Sequence, residues 1–510
     1  MLEPVIKENY KMNRYEIILI LLIAAVSFGG ESNGNTGKQY GLISCGRPEI
    51  TEALSKAGNG ILKCTVNDKT HSADAGRLWG NGTWLNDNFF GTRGGLYIAD
   101  QNQQDIFKRE MEKVSKFFNA TPANEQIGPF GVSSDGTDCS KNVIGMDYDR
   151  FLEFVLTSIR VYEFSGDMKF ANQIYPHMLN VIDWIKMQDT DGDVLLEGRV
   201  MNEPVTGVGS GASGTYIGDT VRNNYKDFGA SLFYYDALIN LAKLEDVLGK
   251  KSAASSHREL ASRVKNALSK IMWNQSNSGY LAWIEPNGVK QDYWVTGNNL
   301  HAVQCGLTNS KQTSMIIKKL NDNRDVLIDV VPCRTVLGVY AKDLCSNPEN
   351  YYWNGGSWTL VSAPAMLAYR KTNDLNGAMH IMDVLANKVI MTENGYYESY
   401  WGYTGKENVC PGLLMNNGGV IWGFFAGVLG VDTSCDKLII SDTVPKDILP
   451  AEARIRYRGS DLEIKWSSGT KAKASLDGVS CKARNGQYEF KINHDVRMPV
   501  HSINIVVAEK

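Results

Sequence analysis

GTYIGDTVRNNYKDFGASLFYYD, residues 214–236, passes from a glycine-rich loop into an apolar, aromatic helix. Phe228, Leu232, Tyr235, Leu238 and Leu241 recur at intervals of three and four, the spacing of one buried helical stripe. The segment before it, 205–218, holds five glycines and no such period. Between loop and helix stands a single carboxylate, Asp219, followed by Arg222, Asn223 and Asn224. A loop braced by a rigid helix is a common position for catalytic groups. An ordinary helix start with an exposed aspartate reads the same way, so the rest of the chain has to decide.

Ten segments carry helical periodicity: 104–118, 148–164, 170–187, 226–248, 257–273, 298–307, 315–320, 357–369, 376–389 and 420–429. In the second, Phe151, Val155, Ile159 and Tyr162 form another single stripe. Short turns such as Ser165-Gly166-Asp167 alternate with long loops rich in glycine and aromatics. If each helix pair turns back on itself, the long loops gather at one end. That favours a helical toroid over a bundle, which has short loops at both ends. From about Asp432 the period falls to two, as in Ala453-Arg454-Ile455-Arg456-Tyr457 and Leu462-Glu463-Ile464-Lys465-Trp466. The expected fold is therefore mostly α: an (α/α)6 toroid over 76–430, then a small C-terminal antiparallel β-sandwich over 431–510.

Before the toroid, Lys11 and Arg14 precede an apolar run at 17–28 that ends in Gly29 and Gly30. A span needs about 20 apolar residues, so this run is expected to be a signal peptide (1–30) of an exported protein, with no stable membrane span. Residues 31–75 read as an N-terminal extension of short strands or disordered chain.

Across 510 residues the charge is balanced, 53 basic against 56 acidic for a net charge of -3, with no long basic run. Nucleic acid is thereby excluded as an expected partner. Eleven Trp, 23 Tyr and 16 Phe suit a hydroxylated ligand, because flat rings stack on sugar faces, although most of them will be core. The nine cysteines form no CxxC pair, so zinc is not indicated; Cys333 with Cys345, or Cys410 with Cys435, are candidate local disulfides.

Asp219 needs a partner. In ENGYYESYWGYTG, 393–405, Glu398 stands among Tyr396, Tyr397, Tyr400, Trp401 and Tyr403. Rings around a carboxylate raise its pKa toward the range where it exchanges protons. Glycoside hydrolysis needs two carboxyl groups with different tasks, which a polar loop and an aromatic nest would supply. WNGGSW at 353–358 sets Trp353 and Trp358 around a glycine turn, as a ligand platform or a helix start. Asp87 and Arg93 lie in the aromatic text 79–104, which reads as the lip of a pocket. Asp147 and Asp149 open the helix at 150, where capping is the default role. Asp189, Asp191, Asp193 and Glu197 resemble a cation loop, but the spacing departs from an EF-hand, so a tight polar turn is preferred to calcium and no metal is expected. No phosphate loop, HExxH or GxSxG motif is present.

These stretches together resemble the inverting glycoside hydrolases of the (α/α)6 type: trehalases, processing α-glucosidases, glycogen-debranching glucosidases and α-L-rhamnosidases. The resemblance is carried by TYIGDTVRNNYKDFGASLFYYDAL at 215–238, by the helix pair and D-x-DG turn of 145–198, and by PGLLMNNGGVIWGFFAGVLGV at 411–431. It implies a carbohydrate substrate, no cofactor, a mid-barrel aspartate as general acid and a late glutamate as general base. At the matching positions stand Asp219 and Glu398, with Glu203 in reserve as acid. Asp87, Arg93, Arg222, Trp353, Trp358 and Trp401 are the expected substrate contacts. A glycoside phosphorylase on the same toroid and a non-catalytic glycan-binding protein are the alternatives. The rhamnosidase text DCPxRxE is absent, which leaves the sugar open.

Overall fold

The computed structural model describes residues 39–78, 82–116, 118, 131–132, 148–198, 216, 220–330, 333–492 and 500–508. Twelve helices of the toroid alternate between an outer and an inner layer. The outer ones are α1 (Pro48–Lys63), α3 (Gln101–Ser115), α5 (Met168–Lys186), α7 (Lys251–Ala267), α9 (Ser310–Asp322) and α11 (Leu375–Asn387). The inner ones are α2 (Leu85–Ile98), α4 (Tyr148–Ser165), α6 (Phe228–Val247), α8 (Thr296–Gln304), α10 (Ser362–Lys371) and α12 (Leu414–Trp422). Each inner helix packs on the next, and α12 packs on α2, so the ring closes.

Placement in two layers explains the two sequence textures. Outer helices have one apolar face: in α7 only Ala254, Ala261 and Val264 are buried. Inner helices are enclosed on all sides, and every residue of α4 from Tyr148 to Phe164 is buried. Side-chain caps fix several starts: Asp100 for α3, Asp167 for α5, Asp227 for α6, Asp374 for α11, and a full Asn309/Gln312 capping box for α9.

Closure between α2 and α12 depends on glycine. A Cβ at Gly94 would lie 2.1 Å from the Gly418 carbonyl oxygen, and one at Gly418 would lie 2.3 Å from that of Phe90. The two backbones touch, which only residues without side chains allow.

β1 (Gly41–Ser44) joins the sheets that follow the toroid. β2 (Gly395–Tyr400) and β3 (Glu407–Pro411) form a hairpin between α11 and α12. Beyond the toroid come β4 (Val431–Ser434), β5 (Lys437–Ser441), β6 (Ala451–Tyr457), β7 (Ser460–Gly469), β8 (Lys473–Leu476), β9 (Val479–Cys481), β10 (Gln487–Phe490) and β11 (Val500–Ala508). They make a six-stranded sheet of order β1-β6-β7-β11-β8-β9 and a three-stranded sheet β4-β5-β10. Side chains of β6 alternate buried and half-buried, as the period of two requires.

Four expectations need correction. Residues 48–63 are not a tail or strands but the first outer helix, opened by Pro48 at its first turn. The text 85–98 is not a pocket lip but an inner helix; its glycines and aromatics serve contact with α12. The β domain is not wholly antiparallel, since β7 pairs in parallel with β11, Asp461 opposite Val500 through Gly469 opposite Ala508. Cys333, Cys345, Cys410 and Cys435 are free, so neither candidate disulfide forms. Among the described residues no helix is long and apolar enough to cross a membrane.

Candidate active site

All six inner helices start at the same end. The described parts of the long connections, 64–78, 82–84, 187–198, 220–227, 268–295, 323–330, 333–361 and 388–413, lie there, whereas the other end has short turns at 99–100, 166–167, 248–250, 305–309 and 372–374. Six helix N-termini thus surround one mouth, where unpaired N–H groups and the macrodipoles favour acidic side chains and hydroxyl oxygens.

Glu398 sits at this mouth by virtue of an irregular strand. In the β2/β3 pair Tyr397 faces Pro411 while Ser399 faces Asn408, so the register slips at Glu398. Such bulges re-aim a side chain. The Glu398 carboxylate is buried, accepts a hydrogen bond from the Tyr352 hydroxyl at 3.2 Å, and lies 3.6 Å from the Cys410 thiol, which donates to it. Its backbone is held by Asn416, whose amide donates to the carbonyls of Tyr397 (2.6 Å) and Glu398 (2.7 Å). Asn416 is in the first turn of α12, so the inner helix itself sets the position of the strand.

Asp87, in the first turn of α2, shares the electrostatics of this site. Burial pushes its carboxyl well above the usual aspartate range; nearby Glu398 and Asp74 add to the rise and Arg150 opposes it. A buried, proton-holding carboxyl beside a second carboxylate is a pairing found where acid and base roles are divided.

The aromatic residues around Glu398 pack on one another. Trp353 and Trp358 stack with ring centroids 4.3 Å apart and both are buried, so each covers the face of the other instead of offering it to a ligand. Tyr352 stands edge-on to Trp358 at 5.0 Å, and Trp401, half-buried, leans on Tyr351 at 4.7 Å. Their loop is fixed by buried Arg334, which donates to the carbonyls of Gly355 (2.7 Å) and Gly338 (3.0 Å) and to the Asn350 side chain.

Below the mouth lies an aromatic floor. Phe89 meets Phe233 at 5.5 Å, Phe90 meets Tyr216 at 6.0 Å, and both phenylalanines meet Trp422. Arg93 is on the far side of that floor, with its guanidinium over Phe89 at 4.4 Å and Trp422 at 4.7 Å. It is six residues along α2 from Asp87, about 9 Å on the helix axis. The structure therefore separates Arg93 from Glu398 and Asp87, although all three were expected in one pocket.

Asp219, Glu203 and Asp147 lie outside the described residues. The chain on both sides of Asp219 is described. Tyr216 is in the floor, its hydroxyl 3.3 Å from His301 Nδ1. Thr220 is tied to the loop that carries Tyr352: Ser346 N–H donates to its carbonyl at 3.1 Å, its hydroxyl donates to Asn347 at 2.5 Å, and Val221 bridges to Cys345. Arg222 follows, with its backbone N–H on Leu344 O at 2.7 Å and its guanidinium 3.9 Å from Asp343.

The acidic turn is explained by a lysine. Lys226 Nζ lies 2.8 Å from Asp191, 2.7 Å from Asp193 and 2.6 Å from Glu197, so an ammonium fills the centre of the carboxylate cluster where a cation would sit. Hydrogen bonding to Lys226 holds the Asp191 carboxyl below its usual range.

Tyr352, Asn416 and Arg150 carry no expectation from sequence, and Cys410 only that of a disulfide with Cys435. Tyr352 adjoins the quoted WNGGSW text, so its position carried a signal. Cys410 and Asn416 reach Glu398 through pairing and helix register, which no local pattern announces.

The closed ring and its one elaborated end match known proteins. A family model, the six-hairpin glycosidase domain of bacterial alpha-L-rhamnosidases, matches residues 152–322. In structure the chain is similar to the GH78 family rhamnosidase of Bacillus sp. GL1, at 13% identity and a TM-score of 0.58, over 85% of this chain and 42% of that one. It is also similar to the GH63 mannosylglycerate hydrolase of Thermus thermophilus, solved in complex with Tris (12% identity) and with glucose (14% identity), both with a TM-score of 0.54 over 72% of this chain and 99% of that one. The chain spans less than half the length of the rhamnosidase. No curated protein matches its sequence. The matched residues all lie within the toroid, and the toroid is the fold this chain shares with these structures.

Proposed function

We propose that the protein hydrolyses a glycosidic bond of an oligosaccharide or glycan at the mouth of the toroid, with inversion, Glu398 acting as general base and Asp219 as general acid. In an inverting site one carboxyl protonates the leaving oxygen while the other activates a water on the opposite face of the sugar. The Tyr352 and Cys410 donors favour the charged form of Glu398, as a base requires.

The observation that carries the reading is the anchoring of the chain around Asp219. Tyr216 is fixed in the floor of the mouth, and Thr220 is fixed to the loop whose Tyr352 touches Glu398. Asp87 serves in the same site as a neutral hydrogen-bond donor to a sugar hydroxyl, and Trp401 supplies a partly open ring.

The neighbours' names define a substrate panel: rhamnosides, mannosylglycerate and glucosides. Asp219→Asn is to be compared on two aryl glycosides of the active sugar, one with a poor and one with a good leaving group. Loss of activity mainly on the poor leaving group is the expected result, since the good one needs no proton. Equal losses on both would remove Asp219 from the acid role.

We also infer that the apolar run at 17–28 directs export. N-terminal sequencing of protein recovered outside the cytoplasm is expected to begin beyond that run, and an uncleaved cytoplasmic chain would refute the inference.

A further inference from the structure

The C-terminal halves of the inner helices line a second cavity of about 500 Å³, together with residues of β4 and β5 and Gln487. It lies beyond the aromatic floor, away from Glu398. Its lining is rich in charge, and the charges do not cancel. Arg160 is paired with Glu163 (3.2 Å) and Asp432 (2.8 Å), and Asp236 is held by His301 (3.0 Å). These contacts occupy all three carboxylates of the lining.

Four further cations, Arg93, Lys243, Arg370 and Lys371, have no carboxylate within ion-pair distance among the described residues. Lys371 is exposed, so water solvates it. Arg370 is explained by the helix end, because it donates to the carbonyls of Gly427, Val428 and Thr443, as cations at C-termini do. Lys243 is also exposed, and its one side-chain hydrogen bond among the described residues is to Asn240 at 3.1 Å. Arg93 has no hydrogen bond at all among the described residues, and its Nε is buried. Its contacts are the faces of Phe89 and Trp422. It is in the middle of α2, so no helix end accounts for it. A guanidinium carries five donors; the buried Nε of half-buried Arg93 is unmet, and its remaining donors have no protein acceptor among the described residues, so they are left to what fills the cavity. The Gln304 side-chain oxygen, also on the lining, is a buried acceptor without a donor among the described residues.

We infer that this closed-end cavity is a binding site for a small oxyanion of phosphate type, held by Arg93 and Lys243, with Gln304 accepting from a hydroxyl of the ligand. Planar guanidinium matches two oxygens of a phosphate at once, and the Lys243 ammonium on the same lining adds a point charge. The cavity exceeds the size of a bare ion, which leaves space for a hydroxylated body such as that of a phosphate monoester. The site is separate from the proposed catalytic mouth and does not depend on it.

Thermal unfolding of the full chain, titrated with inorganic phosphate or glycerol 3-phosphate against sodium chloride at equal ionic strength, tests the inference. A saturable rise in Tm of several degrees with the phosphates and none with chloride is expected. Arg93→Met, which keeps the apolar stem against Phe89 and Trp422, is expected to abolish the rise. Lys243→Gln is expected to weaken apparent affinity about tenfold, and it carries the test if Arg93→Met does not fold. Glu398→Gln is expected to leave the response intact, which separates this site from a phosphate bound at the mouth. Tighter binding of glycerol 3-phosphate identifies a phosphorylated metabolite as the ligand, and equal binding identifies the free anion. A response to chloride alone, one unchanged in both cation variants, or one lost in Glu398→Gln would overturn the inference.

Discussion

The hydroxyl of Tyr352 donates to the carboxylate of Glu398 at 3.2 Å, across a strand bulge that turns Glu398 toward the mouth of the toroid. A donor to the charged form lowers a carboxyl pKa, so its removal raises it. A general base works only when deprotonated. Tyr352→Phe is therefore expected to move the acidic limb of the kcat/KM profile to higher pH by about one unit, with a fall in kcat of about tenfold. A pH-rate profile of the two proteins checks this. A lower kcat with an unmoved limb would mean that Tyr352 only packs.

Lys226 Nζ lies within 2.8 Å of Asp191, Asp193 and Glu197 and supplies their counter-charge. The native protein is accordingly expected to show the same Tm with calcium and with a chelator. Lys226→Met leaves Asp191, Asp193 and Glu197 without their counter-charge. Loss of one partner of a buried pair costs about 3–5 kcal/mol, and the partial exposure of Asp191 and Asp193 reduces this to about 2 kcal/mol. Millimolar calcium is expected to restore much of that in the variant, because the carboxylates of Asp189, Asp191, Asp193 and Glu197 then face one point. Denaturant unfolding with and without calcium measures both effects.

Asp227 caps α6 through the backbone N–H of Ala230 at 3.1 Å and accepts from the Asn223 amide. Burial pushes its carboxyl up to about 7, with nearby Asp149 adding to the rise. The unfolded chain releases that proton near pH 4, the folded chain only near 7. The stability contributed by the retained proton is complete below the unfolded value and is lost as pH rises through the folded one. Asp227→Asn keeps the cap and removes the titration. The variant is expected to gain stability relative to the native chain as pH rises from about 4 to 7, by up to ~1.4 kcal/mol per pH unit. Tm against pH for both proteins gives the slope difference, and parallel curves would contradict it.

Ring closure is expected to be the point least tolerant of small substitutions. Gly94→Ala places a methyl 2.1 Å from backbone of α12 that cannot rotate away. A destabilisation of about 2 kcal/mol is expected after the gain in helix propensity is set against the overlap. Gly58→Ala in α1, whose nearest atom would be 3.5 Å off, is the control and is expected to be neutral or stabilising by up to ~1 kcal/mol. Chemical denaturation of the pair separates steric closure from propensity.

Periodicity made the outer helices and most inner ones legible, because Phe151, Val155, Ile159 and Tyr162 repeat along one face. It failed at 85–98, where an inner helix has no polar side and its glycines look like a loop until α12 is seen against them. It also failed at 48–63, a 16-residue helix in which Gly58 and Gly60 interrupt the helical texture. Glu398 was legible from its ring of tyrosines, whereas its hydrogen-bond partners were not, since Tyr352 is 46 residues away and Cys410 meets it only through strand pairing. Trp353 and Trp358 were read as ligand platforms, yet two rings on either side of a glycine turn are also well placed to stack on each other. The role of Lys226 lay beyond local reading for the same reason: its three carboxylates are on the far side of a long connection.

The most direct test of the account is proton NMR of the first-formed sugar when the protein acts on the aryl glycoside it cleaves, run beside Glu398→Gln on the same substrate. The account expects the inverted anomer to appear first, and Glu398→Gln to lose activity by about 10²–10⁴-fold while still binding the substrate. A first product of retained configuration, or a Glu398→Gln protein that turns over at the native rate, would contradict it.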